Sequence, residues 1–400
     1  MNLPARSIIA LCAVTACASL AFSQRVITTA PVPAPPVVPE ASEDTTPIPA
    51  GFPRYNVVPI GAGIEARGLS DTGYVTGAMV TDTGKKHAFL WKDGTLTDLG
   101  TLYSDDSYGS GVNDAGEVVG VSTAINKTMD DGTVQEARHP FLYKNGKMTD
   151  ISGKELNTEG GDTWQPFDIN NRGMAVGKMT QNGVGMPAVS WLRGRLTSLG
   201  TLGGYMATAY ACSDRGGIVG ASYVAGNNAP RTGEESAFLY RSGRMTELGT
   251  LGGKSSTALD VNNLGDVVGF SQLYPLTAQT NRAFLVKRGK MSDLGTFGGD
   301  SSTANGINDA GQIVGCAQTT KQNVVYFLYQ NGVKVDLQRL VSRASGWNLS
   351  ASDSSGTGPL GSILINNRGQ IVCQARKADK GRGAVLLVPV SSDTGAAAAP

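Results

Sequence analysis

Between residues 55 and 390 short apolar runs alternate with small polar clusters, and the alternation itself repeats. A unit opens on a segment rich in small residues, such as Ser256-Thr257-Ala258-Leu259-Asp260-Val261. A turn of the form Asn/Ser-Asp/Asn-x-Gly follows, then a β-branched segment such as Val267-Val268-Gly269. After a gap of variable length comes an apolar, aromatic run such as Ala283-Phe284-Leu285-Val286, the pattern of a strand buried on both faces. Two-residue turns close the next hairpin, as at Asp93-Gly94, Asn145-Gly146, Ser242-Gly243 and Asn331-Gly332. The last segment resembles Met291-Ser292-Asp293-Leu294 and leads through Gly-Thr-Leu-Gly-Gly (249–253, for example) into the next unit. Each unit therefore predicts four antiparallel strands, called A to D here, which is one propeller blade.

The turn between strands A and B occurs seven times, beginning at Ser70, Asn113, Asn170, Ser213, Asn262, Asn308 and Asn366, at spacings of 43 to 58 residues. Asn or Asp starts such a turn through a local side-chain bond, and Gly takes its left-handed position. The seventh unit stops after strand C, at Ala384-Val385-Leu386-Leu387-Val388. A surplus strand, Tyr55-Asn56-Val57-Val58-Pro59-Ile60, stands before the first strand A. The missing strand and the surplus strand match. The expected fold is all-β: a seven-bladed β-propeller of four-stranded antiparallel blades, closed by an N-terminal strand that joins the C-terminal blade and removes both open edges. Pro59 suits an outermost strand.

Outside the repeats the chain changes character. Residues 1–23 read as a signal peptide, with Arg6, an apolar run over 8–14 and a small-x-small site at Ala21-Phe22-Ser23. Val14-Thr15-Ala16-Cys17 offers a second reading, a lipobox that leaves a lipidated Cys17. Residues 24–53 hold Pro31, Pro33, Pro35, Pro36, Pro39, Pro47, Pro49 and Pro53, the composition of an extended linker. Residues 54–390 are the propeller and 391–400 a flexible tail. This organisation implies a secreted or periplasmic chain with no membrane-spanning segment in its mature part.

Charge narrows the partners. The chain carries 34 basic and 33 acidic side chains for a net charge of +1, which gives no electrostatic case for nucleic acid or an anionic membrane. Of five cysteines, Cys12 and Cys17 lie in the leader, and Cys212, Cys316 and Cys373 are spaced for neither a metal motif nor a disulfide framework. Buried free thiols are the expectation for these three, with a Cys316–Cys373 bridge as the alternative.

The units resemble the HAF repeat of probable extracellular bacterial proteins, named for His-Ala-Phe. The tripeptide is literal at His87-Ala88-Phe89 and varied at His139-Pro140-Phe141, Ser236-Ala237-Phe238 and Arg282-Ala283-Phe284. Gly-Thr-Leu-Gly-Gly and Asn-Asp-x-Gly-x-Val-Val-Gly also match. The likeness spans residues 55–390, is weakest in the third and seventh units, and implies location and architecture without naming a catalytic residue.

Candidate chemistry is sparse. His87 and His139 are the only histidines and share one strand-C position, so neither a Ser-His-Asp hydrolase nor a His-based zinc site is expected. Strand alternation places the B–C and D–A connections on one face, with the long ones at 123–138, 152–163, 223–235, 272–281 and 338–358. That face is the expected ligand side. Candidate ligand-binding residues are Asp105, Trp164, Tyr205, Lys254, Asp300 and Trp347, with no cofactor or metal; the rings of Trp164, Tyr205 and Trp347 read either as faces for a sugar or as packing beneath the long loops. Asp168 and Asp260, at one equivalent strand-A position, are inner-channel acids. They read either as hydrogen-bonding partners of a neighbouring blade or as the acid and base of a glycan-cleaving enzyme. The expected function is a monomeric, non-catalytic binding or scaffold module with an extracellular glycan or protein ligand. The propeller enzyme is the alternative.

Overall fold

The structure, a computed structural model, describes residues 47–103, 106–128, 134–152, 163–180, 186–225, 234–273, 280–349 and 363–390. The signal peptide, Cys17, most of the Pro-rich linker, Asp105 and the tail lie outside the described residues, as do parts of the long connections.

The protein is a seven-bladed β-propeller. Six blades are four-stranded antiparallel sheets in chain order, spanning 65–100, 107–150, 163–200, 203–249, 252–293 and 298–336. In blade 7, strand B (Ile371–Lys377) pairs with strand C (Gly381–Pro389) and with two short inner pieces, Asn348–Leu349 and Ile363–Ile365. The outermost strand of blade 7 is Tyr55–Ala62, antiparallel to strand C with Tyr55 opposite Pro389, Val58 opposite Leu386 and Gly61 opposite Ala384. The ring closes as the strand arithmetic requires, and Pro59 lies on the outer edge at a bulge. The long connection from blade 6 to blade 7 contains two 3-10 turns, Leu337–Leu340 and Arg343–Ser345. Asp336 caps the first by accepting the Gln338 N–H at 2.9 Å.

The repeated residues have local physical causes. Six C–D turns place two consecutive residues at positive φ, the mirror-image turn that matches strand twist. Arg193-Gly194 and Arg288-Gly289 adopt it as well as the four Asn-, Asp- or Ser-Gly pairs. Strand A carries a one-residue bulge in each of blades 1 to 6. Opposite it lies the Gly of Val-Val-Gly: a Cβ on Gly220 would fall 1.8 Å from the Thr208 carbonyl oxygen, and one on Gly269 would fall 2.0 Å from that of Thr257. The Phe of strand C is register partner to the same glycine, as Phe238 is to Gly220, and covers the gap. Phe89, Phe141, Phe238, Phe284 and Phe327 are fully buried. Blade 7 has no bulge in Ile363–Ile365, and there Cys373 replaces the glycine.

Among the described residues the buried core divides into seven clusters, each at a junction between adjacent blades. Serines of strand A also join blades. Ser256 Oγ donates to the Gly249 carbonyl at 2.5 Å and accepts the Ala237 N–H at 2.9 Å, and Ser107 and Ser302 repeat the arrangement. Cys212, Cys316 and Cys373 are free thiols. No helix among the described residues is long and apolar enough to cross a membrane.

Candidate ligand-binding site

Inner strands and A–B turns of all seven blades enclose an axial cavity of about 390 Å³. Two features of the repeat build it. The first is the bulge, which turns one extra side chain per strand toward the axis. The extra residues are Arg67, Ser110, Phe167, Tyr210, Leu259 and Asn305, and all six line the cavity.

The second is the ring of A–B turns. In the five turns that lead with Asn, its Oδ1 accepts backbone N–H groups of its own turn and its amide donates to the leading carbonyl of the next blade: Asn170 to Ser213 at 3.0 Å, Asn262 to Asn308 at 3.1 Å, Asn308 to Asn366 at 3.1 Å. The second turn residues run Asp71, Asp114, Asn171, Asp214, Asn263, Asp309, Asn367 around the ring. Acid and amide alternate, so an Asn NH2 lies between carboxylates: Asn171 Nδ2 donates to both Asp114 and Asp214 at 2.9 Å. Seven is odd, so the alternation fails once, at Asp71–Asp114, where the Thr72 N–H donates to Asp114 at 2.7 Å instead.

Asp168 and Asp260 line the same cavity. Asp168 accepts the N–H of Ile169 at 2.8 Å through Oδ1 and that of Cys212, in blade 4, at 2.9 Å through Oδ2. Asp260 repeats this with Val261 at 2.8 Å and with Ile307, in blade 6, at 2.8 Å. Each carboxylate thus joins its blade to the next. Blades 1, 2 and 6 place glycines here, because the backbones approach closely: a Cβ on Gly111 would lie 2.8 Å from the Asp168 Cα. Burial raises both carboxyls, against the hydrogen bonds that lower them, and Asp260 reaches about 7 with the charge of Asp168 contributing.

The other sequence candidates are scattered. Trp164 is fully buried in the core between blades 2 and 3, and its indole N–H donates to the Ile151 carbonyl at 3.0 Å, so its ring has no face open to a ligand. Tyr205 is exposed in blade 4. Lys254 sits with Glu234 (3.7 Å), Glu235 and Glu247 in a cleft between blades 4 and 5. Asp300 is exposed in blade 6 and accepts from Gln322 at 3.3 Å. Trp347 packs against the blade 6–7 core with the Lys377 ammonium 5.8 Å from its ring centre. None of these lines the axial cavity. His87 and His139 each face an Asp of their own strand D, Asp98 at 2.9 Å and Asp150 at 3.2 Å, and the Tyr103 ring lies tilted against that of His139, centre to centre 4.4 Å. Sequence reasoning missed the bulge residues and the turn ring. The residue three positions before each turn was the available signal.

No family model and no curated protein matches the sequence. Solved structures do. The β-propeller domain of the trilobed protease from Pyrococcus furiosus, described as having an open velcro topology, superposes with a TM-score of 0.51 at 7% identity, over 87% of this chain and 100% of that one. A puromycin-hydrolysing peptidase from Mycobacterium tuberculosis gives a TM-score of 0.50 at 12% identity, over 86% of this chain and 52% of that one, so this chain spans about half the peptidase. At such identities the likeness is one of fold. The class it defines is the β-propeller, here with its last blade completed by the N-terminal strand.

Proposed function

We propose that this chain is an exported, non-catalytic β-propeller that acts as a binding or scaffold module at the cell envelope or outside the cell, and that its units are HAF-type repeats. One observation carries the reading. Each of the two inner-channel acids has both carboxylate oxygens engaged by backbone N–H groups, one in its own strand and one in the next blade, within a cavity otherwise lined by turn and bulge side chains. Such acids hold the scaffold together, while the cavity supplies a concave polar surface for recognition. The signal-peptide pattern supports export. The His–Asp and Phe–Gly pairings give the repeated tripeptide a structural purpose that supports the repeat assignment. The ligand we favour is an extracellular glycan or protein, with no cofactor.

A second reading rests on the raised carboxyl of Asp260 in the cavity it shares with Asp168, whose charge acts on it, the environment of a general acid. A glycan array and a metal-binding screen on the mature chain, with Asp168→Asn and Asp260→Asn alongside, separate the two. Retention of a ligand without turnover supports the binding module. Glycan cleavage abolished by either substitution establishes the enzyme.

A further inference from the structure

Blades 1, 2 and 3 contribute three cations here, of which Arg67 lines the axial cavity. The Arg67 guanidinium lies over the Tyr108 ring, 4.7 Å from its centre. The Lys178 ammonium stands 6.0 Å from the centre of the Phe167 ring. Arg138 reaches the same place from blade 2: its main-chain carbonyl accepts the Thr163 hydroxyl at 2.7 Å, on the strand whose Gln165 is register partner to Lys178, and its charge acts on both Lys178 and Tyr108. Gln165 joins the blades here by donating through Nε2 to the Tyr108 hydroxyl at 3.2 Å. Only Arg67 meets a carboxylate, Glu65 at 3.2 Å, and Glu65 also lies 3.7 Å from Lys86. Among the described residues neither Lys178 nor Arg138 has an acidic partner.

Two like charges held together without a counter-charge, one of them half-buried, repel each other and lose hydration. Burial and then Arg138 lower the Lys178 ammonium, which is the sign of that cost. A bound anion relieves both effects.

We propose that Arg67, Arg138 and Lys178, with Tyr108, Gln165 and Phe167, form a binding site for a carboxylate-bearing sugar. The cations take the carboxylate, the aromatic rings take the apolar face of the pyranose, and the Gln165 amide takes a hydroxyl. A peptide suits the place less well. The main chain here is already paired within the blades, Gln165 with Lys178 and Tyr108 with Val121, so an extended strand finds no ladder to join.

This rests on the reading of the propeller as a binding module. The test presents the mature chain to an array of oligosaccharides containing uronic or sialic acids, their carboxyl-reduced counterparts and acidic peptides. The acidic sugars are expected to bind and the reduced forms to fail. Lys178→Met and Arg138→Met, checked for folding by circular dichroism, are expected to weaken binding about tenfold each. Equal binding of acid and reduced forms, unchanged affinity in both variants, or preference for acidic peptides overturns the proposal and leaves the binding module standing. Retention of no ligand of any class overturns both. A second measurement needs no sugar. Citrate at fixed ionic strength is expected to raise the melting temperature of the wild type more than that of Lys178→Met, and an identical shift in the two counts against the site.

Discussion

Asn366 in blade 7 donates its side-chain amide to the main-chain carbonyl of Ser70 in blade 1 at 2.9 Å, joining residues 296 apart in sequence. Its amide also reaches the Gln370 carboxamide at 2.8 Å, and its Oδ1 accepts the N–H groups of Arg368 and Gln370. One buried side chain thus caps its own turn and closes the ring. Asn366→Ala leaves those groups unsatisfied and is expected to cost about 2–4 kcal/mol in urea denaturation. Asn366→Ser should cost about half as much. Ser70 shows why: at the equivalent place it caps its turn, accepting the Tyr74 N–H at 3.1 Å, without making the inter-blade bond.

The alternating ring of turn side chains makes a sharper demand at Asn171. Its NH2 separates Asp114 from Asp214, donating to both at 2.9 Å. Asn171→Asp puts four carboxylates in a row, Asp71, Asp114, the new acid and Asp214, and removes both donors. A loss of about 2–3 kcal/mol is expected, recovered in part by high salt. An equal loss at all salt concentrations would show that packing, not charge, governs the ring.

The glycine opposite each bulge gives a paired prediction. Gly220→Ala drives a methyl into the Thr208 carbonyl, and at least about 3 kcal/mol of destabilisation is expected. Cys373→Ala occupies the same position in the blade without a bulge, where a Cβ already fits. It should cost only about 1 kcal/mol, for the lost sulfur contact. Melting temperatures of the two variants decide this, and a Gly220→Ala protein as stable as Cys373→Ala would remove the bulge from the explanation.

These elements also mark what was legible beforehand. Turn chemistry and strand counting exposed the blades and the closure, because Asn-Asp-x-Gly and Asn-Gly act locally and a ring missing one strand announces it. The axis was hidden by the bulge. An extra residue in strand A shifts the in–out alternation, so Phe167 and Tyr210 face the cavity where a strict two-residue period does not place them. Trp164, chosen as a ligand contact because it lies near a loop, is core because its N–H finds the Ile151 carbonyl. Arg67, Arg138 and Lys178 come together only through the stacking of three blades, which leaves no mark in the linear sequence.

Asp260 ties this architecture to pH. Burial, reinforced by the charge of Asp168, raises its carboxyl to about 7, although the N–H groups of Ile307 and Val261 pull the other way. In the unfolded chain the same carboxyl titrates near ~3.9. Between those values the folded protein holds a proton that the unfolded chain has released. The contribution is therefore complete below the unfolded value and is lost as pH rises through about 7. Discounted for the solvent that the axial cavity admits, a fall on the order of 2 kcal/mol is expected across that window, measured by urea denaturation at constant ionic strength. Asp260→Asn has no proton to lose. It keeps an acceptor for one amide and turns an NH2 toward the other, so it should start less stable and show a flatter profile. If the wild type instead gains stability as pH rises through this window, the carboxylate form is the one that joins blade 5 to blade 6, and its two N–H donors outweigh the burial around it.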